Sequence, residues 1–118
     1  MAYEFKQKLP NPNFDNVFDV TAEEVKNNAQ ELTLIDVRQP EEYTGELGHV
    51  QNAQLVVLGD IPNQIKNIPT DKPVVFICRS GMRSAQASAY AYSLGIKNTY
   101  NMLGGMLLWN KLALPVEK

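Results

Sequence analysis

The run "PVVFIC", Pro73 to Cys78, constrains the fold more than any other stretch of this chain. It is apolar without alternation, so neither face is left for water. Strands of that kind belong to parallel sheets covered by helices on both sides. Directly after it comes "RSGMRS" and then an Ala-rich run, Ser84 to Leu94, closed by Gly95. The apolar strand, the short loop and the helix predict one β–α unit at the centre of an α/β fold.

The rest of the chain repeats that alternation. "VFDV" (Val17 to Val20) is a strand, and Thr21 with Glu24 three residues on forms a capping box for the helix that follows, ending near Ala29. Val20 and Val25 stand at the positions of a hydrophobic staple. "LTLIDV" (Leu32 to Val37) and "AQLVVL" (Ala53 to Leu58) are strands around the loop "QPEEYTGEL", which has room for one helical turn. Ile61, Ile65 and Ile68 share one side of a short helix. "NTYNM" is a fifth strand and "MLLWNKLAL" a last helix that stops at Pro115. Five strands separated by helices predict a mostly parallel sheet with helices on both faces. Residues 1–16, with two prolines and several asparagines, are expected to form an extended N-terminal arm, and 17–118 a single domain.

Composition excludes several classes. A length of 118 residues fits one domain with a sizeable core. A net charge of −2 offers no general attraction to nucleic acid or an anionic membrane. No apolar run approaches the ~20 residues that span a bilayer. The N-terminus lacks the apolar centre of a secretory signal, and one cysteine forms no internal disulfide. The expectation is a cytoplasmic protein. One cysteine and one histidine cannot fill a zinc shell, so no metal and no cofactor are expected.

Cys78 is the one residue whose placement asks for chemistry. Ligands of open parallel sheets bind beyond the carboxyl ends of the strands, and Cys78 ends the most buried one. The loop from Arg79 to Arg83 can curl its N–H groups toward one point, and the helix start adds partial positive charge. Gly81 permits the backbone angles of a tight curl. These features favour a thiolate without a histidine base. The alternative is an inert core cysteine. Two arginines, a glycine and two serines directly after the thiol argue against it.

At these residues the sequence resembles the single-domain rhodanese family of sulfurtransferases. "CRSGMRS" (Cys78 to Ser84) matches the family's loop of a cysteine, four residues and an arginine. "LIDVRQPEEY" (Leu34 to Tyr43), "GHV" (Gly48 to Val50) and "NMLGGMLLWNKLALPV" (Asn101 to Val116) are similar to its other signatures, in the same order. The chain departs from the pattern at Gln51 to Ala53, where the family commonly has a Pro-Gly turn, and after Leu55, where the usual proline is missing. The resemblance implies a rhodanese-like three-layer sandwich on a five-stranded sheet. It also implies a sulfur relay. Cys78 takes a sulfane sulfur from a small anionic donor such as thiosulfate, holds it as a persulfide, and passes it to cyanide or a thiol. A persulfidated protein is a further candidate donor.

The remaining candidates divide between roles. Arg79, Ser80, Gly81, Met82, Arg83 and Ser84 form the expected substrate-binding loop. Arg79 either attracts anionic donors at the pocket mouth or is a solvated charge. Arg83 either binds donor oxygens or braces the loop, with Glu42 as partner. Ser80 and Ser84 are hydroxyl donors for the sulfur anion, and Ser84 is alternatively the helix cap. Asp36 and Arg38 either orient the donor or form a structural ion pair. His49 is expected to be a satisfied loop histidine, Trp109 a core residue, and Gly104 with Gly105 a tight turn. Two other functions compete with sulfur transfer. A phosphatase of this kind has five residues between cysteine and arginine, and this loop has four. A binding or persulfide-carrier module without turnover commonly loses the cysteine, which is present here.

Overall fold

The computed structural model describes residues 3–118. Its elements run β1 (Leu9–Pro10), β2 (Phe18–Val20), α1 (Ala22–Asn27), β3 (Thr33–Asp36), α2 (Pro40–Tyr43), β4 (Gln54–Leu55), α3 (Ile61–Gln64), β5 (Val74–Ile77), α4 (Met82–Ser93), β6 (Thr99–Met102) and α5 (Gly105–Lys111). They build one six-stranded sheet in the order β1-β2-β6-β5-β3-β4. β1 pairs antiparallel with β2, and every other neighbour is parallel.

β5 lies between β6 and β3, and all four of its residues are buried. Its side chains alternate between two cores. Val75 and Ile77 meet Val25, Met106 and Trp109 beneath α1 and α5. Val74 and Phe76 meet Ile61, Ala87 and Ala91 beneath α3 and α4. The three-layer α/β sandwich predicted from the non-alternating run is therefore present. α4 sits close to the sheet because its inward positions are small: Ser84, Ala85, Ala87, Ser88 and Ala91 are all buried. No helix among the described residues is long and apolar enough to cross a membrane.

Three local readings change. The sheet has six strands rather than five, because the expected arm supplies β1. Two prolines and a run of asparagines hide a two-residue strand that forms only against β2. The strand expected over Ala53 to Leu58 pairs only at Gln54–Leu55. Beyond it Val56 and Leu58 donate to Asp36 O and Val37 O as the chain curls into a 3₁₀ turn. The capping box at Thr21 is half formed: Thr21 accepts from the Glu24 amide at 3.2 Å, but the Glu24 carboxylate faces the arm. There it accepts from the Tyr3 hydroxyl and from the amides of Lys6 and Gln7. Phe5, in the same arm, is buried against Tyr3 and Tyr100.

Candidate active site

Cys78 directly follows β5 at the carboxyl edge of the sheet, and its residue surface is 1% exposed. Gly81 donates its N–H to Cys78 Sγ at 3.1 Å. Gly81 is also the N-cap of α4, with φ of 104°, a conformation that glycine adopts without steric cost. The sulfur therefore sits at the start of a twelve-residue helix, where unpaired N–H groups concentrate positive potential. The expected ring of converging amides is narrower than predicted. Among the described residues, Gly81 is the one loop amide that donates to Sγ. Because α4 starts at Met82, Ser84 lies in its first turn and is not its cap. Ser84 Oγ lies 3.2 Å from Sγ.

The loop is held from two directions. Beneath it, the amides of Met106 and Leu107 at the start of α5 donate to the carbonyls of Cys78 and Arg79, each at 2.9 Å. Gly104 and Gly105 do more than turn the chain. A Cβ on Gly105 would stand 2.5 Å from Cys78 O and 2.6 Å from Arg79 O, so only glycine lets α5 approach the loop. Beside it, Arg83 donates to both carboxylate oxygens of Glu42 at 2.8 and 2.9 Å. That bidentate pair, ahead of the Gln39 amide, pulls the Glu42 carboxyl down to about 2. The same hydrogen bonds raise the Arg83 guanidinium above its ordinary value, and Glu42 is the main cause. The pair joins α2 to the first turn of α4.

Arg38 and Asp36 form a buried ion pair at 2.7 Å. Arg38 also donates to the carbonyls of Gly48 and Glu42, so its guanidinium ties β3 to α2 and to the following loop. Arg79 and Ser80 are exposed, and Met82 is 57% exposed at the rim. Arg79 borders a cleft of about 350 Å³ together with Arg38, Glu41, Glu42, Glu46 and Leu107. No carboxylate among the described residues forms an ion pair with it. His49 stacks on Tyr43 with ring centroids 3.7 Å apart and shares a hydrogen bond with the Tyr43 carbonyl. Trp109 is buried in the core and donates its indole N–H to Pro115 O.

Sequence reasoning missed Asn101 and Asp19. Both are buried, and they extend a polar line from Ser84 inward across β6 to β2. The available signal was a polar residue, Asn101, two positions after Thr99 on the same face of a strand that ends in Met102.

With this geometry, comparison with known proteins is direct. A family model for the rhodanese-like domain matches residues 21–112, and the chain belongs to that family. The Bacillus subtilis protein YtwF is 45% identical over 80 residues, which cover 68% of this chain and 75% of that one. The Vibrio cholerae protein named thiosulfate sulfurtransferase GlpE is 27% identical over 99 residues, covering 84% of this chain and 92% of its own. The crystal structure of a rhodanese-related protein from Thermoplasma volcanium matches with a TM-score of 0.77 at 28% identity, over 84% of this chain and 96% of that one. Family membership and these relatives support sulfur transfer as the activity of this chain.

Proposed function

We propose that the chain moves a sulfane sulfur from a small anionic donor such as thiosulfate, through a persulfide on Cys78, to cyanide or a thiol. In the first half, Cys78 thiolate attacks the outer sulfur of thiosulfate. The new S–S bond forms as the old one breaks, and sulfite leaves with the electron pair. In the second half, the acceptor attacks the outer sulfur, and the bond to Cys78 breaks with its electrons returned to Sγ. Cyanide then leaves as thiocyanate, and a thiolate as a persulfide.

One observation carries this reading: Sγ stands at the start of α4, hydrogen-bonded by Gly81 N–H, on a loop with four residues before Arg83. An anion at that point is favoured by the helix end and the aimed amide. Arg79, unpaired at the rim, suits an anionic donor, while Arg83 and Arg38 serve the frame. Lacking a neighbouring thiol, the persulfide has no internal route to a disulfide, so its sulfur goes to an outside acceptor.

Mass spectrometry after thiosulfate treatment tests the first half: a gain of one sulfur atom at Cys78 is expected. Cys78→Ser should lose both the adduct and thiosulfate:cyanide turnover. Turnover retained in that variant removes Cys78 from the reaction.

A further inference from the structure

Ser84 Oγ has two neighbours and one proton. Cys78 Sγ is 3.2 Å away, and Asn101 Oδ1 is within hydrogen-bonding distance on the other side. The hydroxyl can donate to one of them at a time. Which one it serves is decided further inward. Asn101 Nδ2 donates to Asp19 Oδ1 at 2.9 Å, and Asn11 Nδ2 donates to the same oxygen at 2.9 Å. A carboxylate accepts and does not donate, so Asp19 keeps the amide nitrogen of Asn101 turned toward itself. The amide oxygen is then left facing Ser84. An amide oxygen is a far better acceptor than a thiol sulfur. Ser84, Asn101 and Asp19 are 0%, 2% and 5% exposed, which leaves this line little access to water.

We propose that Asp19 and Asn101 are positioning residues that hold the Ser84 hydroxyl proton away from Cys78, leaving the nucleophilic sulfur to the Gly81 amide. In the thiol, the line is satisfied throughout: S–H donates to Ser84, Ser84 to Asn101, and Asn101 to Asp19. Loss of the thiol proton leaves a sulfur anion facing a hydroxyl lone pair. Such an anion is less stabilised and more nucleophilic than one with a second donor. The proposal rests on Cys78 being the attacking group, as in the sulfur-transfer reading, and concerns what tunes that attack.

Asp19→Asn is the test. An amide at position 19 no longer dictates polarity, so Asn101 can turn and present its nitrogen to Ser84. The hydroxyl proton then swings to Sγ. The charges around Cys78 are Arg83 with Glu42, Asp36 with Arg38, Arg79 and Asp19, and only the last is altered. The readout is the pH profile of Cys78 alkylation by iodoacetamide, which needs no sulfur donor. A missing persulfide would thus defeat the functional reading without touching this result.

The expected outcome is a midpoint displaced toward acid by about one pH unit, a tenfold change in thiolate at a fixed lower pH. The same displacement should vanish when Asp19→Asn is made in a Ser84→Ala background. Equal displacement in both backgrounds would mean through-space charge alone and would overturn the proposal, as would no displacement in a folded variant. Ser84→Ala alone should not move the midpoint toward alkali. If it does, the hydroxyl serves the sulfur in the native chain and the proposal fails. Asn101→Leu removes the competing acceptor outright. It covers the case in which Asp19→Asn does not fold, with the same expected displacement and the same dependence on Ser84.

Discussion

The Arg83–Glu42 pair shows how one residue serves the loop without touching sulfur. Its two hydrogen bonds lie between groups that are 35% and 28% exposed, so solvent screening limits their worth to about 1 kcal/mol. The sign of its pH dependence follows from Glu42. A carboxyl held down to about 2 in the folded chain, against an ordinary 4.5, stabilises the fold above the ordinary value. That contribution is lost as pH falls from 4.5 through about 2. Urea unfolding should therefore show Glu42→Gln weaker than the native chain by about 1 kcal/mol near neutrality, with the gap closing in acid. A gap that stays constant down to about pH 2 would contradict the assignment. At this scale the sequence was most legible where chemistry is local. Cys78, its loop and Arg83, with four residues between the two, lie together in the sequence and are read from it directly. Asn101 and Asp19 are 82 positions apart, and no spacing rule connects them before β6 lies beside β2.

At the scale of elements, α5 is the floor of the site. Its first amides occupy the Cys78 and Arg79 carbonyls, and the absent side chain of Gly105 is what allows the contact. Gly105→Ala would place a methyl into two backbone oxygens at a φ of 58°. The expected cost is about 2–4 kcal/mol, with a loss of sulfur transfer larger than the loss of stability alone explains, because the loop must move. Thermal unfolding and thiosulfate turnover, measured on the same preparation, separate the two. The paired glycines were visible in the sequence as a turn. Their second duty was not, because it depends on α5 meeting a loop from another part of the chain. The start of α4 was misplaced by two residues for a related reason. Ser84 is a good cap by residue type, but Gly81 in a left-handed conformation takes that position.

Taken as a whole, the molecule is a parallel sheet whose N-terminal segment closes one flank. Phe5 fills a core position between Tyr3 and Tyr100, and three donors from residues 3–7 converge on the Glu24 carboxylate. Those bonds overcome the opposing effect of burial and lower the Glu24 carboxyl below its usual range. The Tyr3 phenol is pushed up to about 12, chiefly by its bond to Glu24. Phe5→Ala should cost about 2–3 kcal/mol and release β1. Faster hydrogen exchange at the Asn11 amide, which donates to Val17 O, would report that release. The domain's parallel core was legible from its apolar runs. The docked arm was not, because its prolines and asparagines carry the composition of a loop.

The two outermost strands, β1 and β4, are each two residues long, and β1 contains Pro10. A flank so brief, with a missing donor at the proline, offers a foreign strand almost no ladder to extend. Crowded or partly unfolded copies of this chain therefore have little means of zipping together through their sheet margins.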